Sequence, residues 1–150
     1  MAWANSRLLS AASELTSDEL EHDFKTSEHC VRSTLAHIYR AERVWLGRME
    51  GKPVAFQVEG DDTIAALSVN WPQLDEGWLQ WSRTLTDQDA LAELTYHDLK
   101  GNPWTQTIWQ IMHHVVNHST HHRGQAIGFI RALGHTPPNV DSITFARQQK

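Results

Sequence analysis

This 150-residue sequence predicts an all-α fold: a four-helix bundle with a small β-hairpin ahead of its last long helix. Three observations carry the prediction. Apolar residues recur at steps of three and four through long segments, Gly51 with Pro53 and Gly134 with Pro137-Pro138 punctuate them, and one short stretch around Lys100-Gly101-Asn102 suits a tight hairpin turn. Length fits one domain spanning residues 1–150.

Residues 2–15 read as a short first helix that buries Leu8, Leu9 and Ala12. Thr16 and Ser17, followed by Asp18 and Glu19, offer a cap and an acidic first turn for a new element. Residues 27–49 form the second long helix, its face made of Val31, Leu35, Ile38, Glu42, Trp45, Leu46 and Met49, with Glu42 the polar exception. The third runs over residues 64–85 along the seam Ile64, Leu67, Trp71, Leu74, Trp78, Trp81 and Leu85, whose phase is kept across Pro72, so a kinked single helix is expected. Residues 94–97 and 103–106 make the hairpin, with Pro103 confined to an edge. Thr107 and Gln110 have capping-box spacing and open the last helix, which runs to Leu133 and leads into a C-terminal tail.

Composition removes several function classes. Hydrophobic content of 40% with 21% charged residues is ordinary for a globular chain, and no apolar run approaches the roughly 18 residues of a membrane span. The N-terminal stretch MAWANSRLLSAASEL lacks the basic and apolar blocks of a secretory signal, so a cytoplasmic location is expected. A single cysteine, Cys30, excludes an internal disulfide and a multi-thiolate zinc cluster. Net charge is -5 and the basic residues are dispersed, which argues against a nucleic-acid partner.

HHVVNHSTHHRGQ, residues 113–125, holds five of the ten histidines. At about 100° per residue, His122 falls within the apolar stripe of its helix and His118 at its edge; His114 and Gln125 lie on the flank, His121 beyond them, and His113 points away. His118 and His122 stand one turn apart and can aim two imidazoles at one cation. His37, at the inner edge of the second helix beside Thr34 and Ala41, is the matching third donor, although a single inward histidine is more often a packing residue. His22, His29, His97 and His135 read as solvated. Cys30, two turns before His37, is a small buried hydrophobe or a fourth ligand.

NHSTHHRGQ at 117–125, LAHIYRAERVWL at 35–46 and ALGHTPPNVD at 132–141 together resemble the DinB/YfiT-like superfamily of small bacterial four-helix metalloproteins, in order and spacing over nearly the whole chain. The resemblance implies a divalent-metal triad of His37, His118 and His122, and a thiol-dependent transferase or isomerase activity. Zinc, nickel and iron all suit such a site. A hydrolase using metal-activated water and a non-catalytic, stress-associated metal-binding protein are the alternatives. The expected partners are a small-molecule substrate, a low-molecular-weight thiol and a second copy of the chain, the last because the Trp71, Leu74, Trp78 and Trp81 seam offers apolar surface beyond the needs of one bundle. Around the site, Glu42 is expected to pair with Arg123, Asp141 to share that guanidinium, and Gln125 to lend support.

Overall fold

The computed structural model describes residues 1–149. Its elements are α1 (Ala2–Ser13), α2 (Ser17–Leu20), α3 (Val31–Met49), α4 (Ile64–Arg83), α5 (Asp87–Leu91), β1 (Glu93–His97), β2 (Pro103–Thr107), α6 (Ile108–Ala132) and α7 (Ser142–Gln148). The chain is mostly helical, with one antiparallel hairpin. None of the described helices is long and apolar enough to cross a membrane.

The core draws on the four longer helices: Leu8 from α1, Leu35 and Ile38 from α3, Leu67 and Trp71 from α4, and Ile130 from α6 are at most 1% exposed. Each such side chain stabilises the fold by about 1.5–3 kcal/mol through burial. Packing places α3 against both α4 and α6, and α1 against α4 and α6. The helices that carry the candidate histidines are therefore neighbours.

Several starts and stops follow the expected chemistry. Thr16 and Glu19 form a capping box for α2, and Gln110 accepts from the Thr107 N–H at 3.1 Å at the head of α6. Pro72 lies inside a continuous α4; it and Ser68, four residues earlier, are both exposed, so the lost hydrogen bond falls on the solvated side. The hairpin has the expected strands, with Leu94 opposite Gln106 and Tyr96 opposite Trp104. Asp98 closes its turn by accepting from the Lys100 and Asn102 backbone N–H groups at 2.8 and 2.9 Å and from Trp104 Nε1 at 3.1 Å.

Other expectations need correcting. The second long helix begins at Val31 rather than at residue 27, because His29 sits at φ +60° and Cys30 is the N-cap, its Sγ accepting from the Ser33 N–H at 3.4 Å. The tail after Gly134 contains α7, and Thr86 with Asp89 caps the short α5. Trp71, Leu74 and Trp78 are buried by the chain itself and Trp81 is partly buried, so most of the seam is core. His135 is tied down: its Nε2 lies 2.7 Å from Glu19 Oε1.

The segment between α3 and α4 is held against α3 by charge. Arg40 Nε donates to Asp61 Oδ1 at 2.8 Å, Arg43 reaches the same carboxylate at 3.3 Å, and Arg32 pairs with Asp62 at 2.7 Å. Asp61 is only 6% exposed, so these contacts are sheltered from screening. Gly47 permits the chain to turn back: a Cβ there would stand 2.6 Å from the Lys52 carbonyl oxygen. The result is that Phe56 packs edge-on to His37, with ring centroids 5.9 Å apart.

Candidate metal centre

His37 rises from the middle of α3, and His118 and His122 lie one turn apart on the facing side of α6. Their donor nitrogens all fall within 4.8 Å of one another, with His37 Nε2 and His118 Nε2 at 3.1 Å. Such a cluster can hold one metal ion, since imidazole nitrogens about a cation at roughly 2.0–2.1 Å are separated by little more than 3 Å. Among the described residues, no fourth His, Cys, Asp or Glu joins the group. Cys30 is occupied at the N-cap of α3 and is not part of it. His113 and His121 are exposed and outside it.

Electrostatics favour the neutral, ligating form. Burial, then the neighbouring His122 and His37, push His118 down from 6.5 to about 4. Burial lowers His37 as well, against the opposing pull of Glu28, whose Oε2 lies 3.6 Å from His37 Nδ1. Neutral imidazoles keep a lone pair for a cation. Gln125 selects the tautomer of His122: its Oε1 lies 2.7 Å from His122 Nδ1, and its Nε2 lies 3.3 Å from His121 Nε2, so the amide oxygen accepts the Nδ1 proton and His122 Nε2 is left as the ligand.

The family model for the DinB family matches residues 1–150. The chain belongs to the DinB family. It is 21% identical over 148 residues to Protein DinB of Bacillus subtilis (strain 168), an alignment covering 93% of this chain and 85% of that protein. A crystal structure of a DinB-like protein from Bacillus cereus ATCC 10987 superposes with a TM-score of 0.69 at 20% identity, covering 93% of this chain and 91% of that one; the likeness establishes a DinB-like fold.

Behind the histidines, this DinB-family chain carries a buried polar knot centred on Glu42, which is fully inaccessible to solvent. Ser119 Oγ donates to Oε1 at 2.7 Å, Trp71 Nε1 to Oε2 at 2.8 Å, and Asn5 Nδ2 to Oε2 at 3.2 Å; Arg123 Nη1 stands 4.0 Å from Oε1. One carboxylate thus ties α3 to α1, α4 and α6. Burial raises the pKa of Glu42, and the three donors and Arg123 oppose that rise.

Of the expected supporting residues, Glu42 is buried with Arg123 Nη1 4.0 Å from its Oε1, and Gln125 lies against His122 Nδ1. Asp141 does not share the guanidinium: it is exposed at the N-cap of α7, and the Arg123 donors go to Asn5 Oδ1 at 3.0 Å and Thr120 Oγ1 at 2.9 Å instead. Asn5, Ser119 and Glu28 escaped sequence reasoning, as did the bond from the seam residue Trp71 to Glu42. Ser119 stands three residues before His122, but a lone serine on a helix carries no sign of its partner. Glu28 lies in a non-repeating turn, so no helical periodicity could place it beside His37.

Asp75 extends the knot toward the surface, accepting from Asn5 Nδ2 at 3.2 Å. Burial, then the nearby Glu42 charge, push it up to about 7 from 3.8. A carboxyl raised in the folded state contributes most below its unfolded pKa, and that contribution is lost as pH rises through about 7. Asp75→Asn is therefore expected to leave the melting temperature nearly unchanged at pH 4 and to raise it at pH 8; thermal melts at the two pH values check this, and an equal difference at both contradicts it.

A cavity of about 710 Å³ runs between α1, α4 and the first turns of α6 and has Asp75 in its wall; none of the three histidines lines it. Size alone does not make it the reactive site. The chemistry-bearing nitrogens lie on the α3–α6 side.

Proposed function

We propose that this protein is a metal-dependent transferase that uses a low-molecular-weight thiol, with His37, His118 and His122 holding one zinc, nickel or iron ion. The observation that supports a catalytic over a structural ion is the donor set: three imidazoles and, among the described residues, no fourth protein ligand, where structural zinc sites use four. A cation held there acts as a Lewis acid and favours the deprotonated form of a thiol or water that reaches it.

The chain's own residues do the rest. Gln125 orients His122 through its Nδ1 edge, which fixes that donor's lone pair before a cation arrives, and Glu28 adds a negative charge 3.6 Å from His37 Nδ1. Phe56 and the arginine-held segment beneath it shield one side of His37 from water. The chain's one thiol, Cys30, is engaged with Ser33 at the head of α3, so a thiol nucleophile must come from solution.

Loading the protein with cobalt(II) and titrating with glutathione tests this. A sulfur-to-cobalt charge-transfer band is expected in the wild type and absent from His118→Ala. No band, together with metal-dependent ester hydrolysis, favours the hydrolase; neither signal means that the ion serves only the structure.

A further inference from the structure

One helical turn before His118, His114 lies with its ring centroid 5.6 Å from that of His118 and 5.4 Å from that of Trp45 on α3. Past it, a cavity of about 280 Å³ opens between α3, the hairpin and α6, lined by Trp45, Tyr96, Gln106, Gln110, Ile111 and His114. Its aromatic walls are held in place. Trp45 and Tyr96 meet edge to face at 4.9 Å, and the Arg48 guanidinium sits 4.5 Å and 4.9 Å from their centroids while donating to the His97 carbonyl at 2.7 Å.

Two further properties restrict the occupant. Among the described residues no Asp, Glu, Lys or Arg lines the cavity, and the Arg48 guanidinium behind its aromatic walls is already bonded to the His97 carbonyl, so a full charge entering it would be poorly compensated for lost hydration. Gln106 lines the cavity too, and its side-chain oxygen is buried without a hydrogen-bond donor, so turning that amide toward a guest N–H breaks no bond to the oxygen and gives it a partner. Gln110 has already committed its own oxygen to the Thr107 N–H, which leaves its NH₂ for another partner. The volume, near the lower end of small-molecule sites, matches a single ring with a short substituent.

We propose that this cavity is the specificity subsite for an uncharged aromatic portion of the substrate, stacked against Trp45 and Tyr96 and donating an amide-type N–H to Gln106. That the guest is the substrate rests on the metal-centre reading, since His114 in the cavity wall is 5.6 Å, ring to ring, from His118. The recognition of the guest does not.

Benzamide is the probe, followed by saturation-transfer and amide-shift NMR on the full chain. Binding is expected to perturb Trp45, Tyr96 and His114, to weaken about tenfold in Gln106→Leu, which keeps the bulk and removes the acceptor, and to be about tenfold weaker for benzoate. Trp109→Leu, at an exposed tryptophan on α6, should bind as the wild type does. His118→Ala should also retain benzamide, so loss of the metal centre and loss of the subsite are separately visible. Equal affinity in wild type and Gln106→Leu, shifts confined to the α1–α4 cavity, or no binding would overturn the subsite. In protein loaded with manganese(II), faster relaxation of the benzamide protons that vanishes in His118→Ala is expected; bound benzamide without that enhancement would overturn its assignment to substrate.

Discussion

Glu42→Ala is expected to lower the stability of the folded chain by about 3–5 kcal/mol, the range for breaking a buried, hydrogen-bonded charge network by removing one member. The carboxylate is wholly buried, and its removal strands three donors on three other helices: Asn5, Trp71 and Ser119. It also leaves Arg123, 6% exposed, without its nearest negative partner, while burial already lowers that guanidinium's pKa. Glu42→Gln keeps the shape and one acceptor oxygen, so a smaller loss of about 1–3 kcal/mol is expected. Urea unfolding of both variants reads the difference. Against a total of about 5–15 kcal/mol for a domain, the alanine variant should be close to unfolding near 37 °C. A loss below about 1 kcal/mol would mean that the knot is a bystander.

The second large effect concerns the histidines. Alanine at His37, His118 or His122 is expected to weaken binding of the divalent ion by more than about a hundredfold, beyond the 10–100-fold typical of losing a residue that only supports a ligand. Gln125→Leu, which removes the acceptor from His122 Nδ1, belongs to that supporting class and should weaken binding by roughly tenfold. His113→Ala and His121→Ala should keep full stoichiometry, since both side chains are exposed and outside the cluster. Acid should release the ion because protons compete for the same lone pairs. With His118 held at about 4, its competition sets in well below the ordinary imidazole range. The sign for the metal-free protein follows from the same shift: a depressed folded pKa gives stability that is present above 6.5 and is lost as pH falls through about 4.

How much of this was legible depends on whether a feature repeats. The helix faces of α3, α4 and α6 repeat every three or four residues, and so did the reasoning that placed His37, His118, His122 and Glu42 inward. Gly51 and Gly134 sit at φ +69° and +90° just past their helices, as end signals should. Features that depend on a single long-range contact were not legible. Asn5 reaches Glu42 across 37 positions, and Glu28 approaches His37 from a turn with a left-handed residue beside it. Asp141 was misplaced for the same reason: sequence order put it in a returning tail, but a cap for α7 claims that position. The tryptophan seam read as surplus because periodicity gives the direction of a face and not how completely other helices cover it.

The most direct test of the three-histidine centre is anomalous diffraction, at the absorption edge of the bound metal, from crystals of the purified protein. One strong peak per chain is expected, within about 2.0–2.2 Å of a nitrogen from each of His37, His118 and His122 and of no other protein atom. A peak at His113, His121 or another surface histidine, or a fourth protein ligand closing the shell, would contradict that centre.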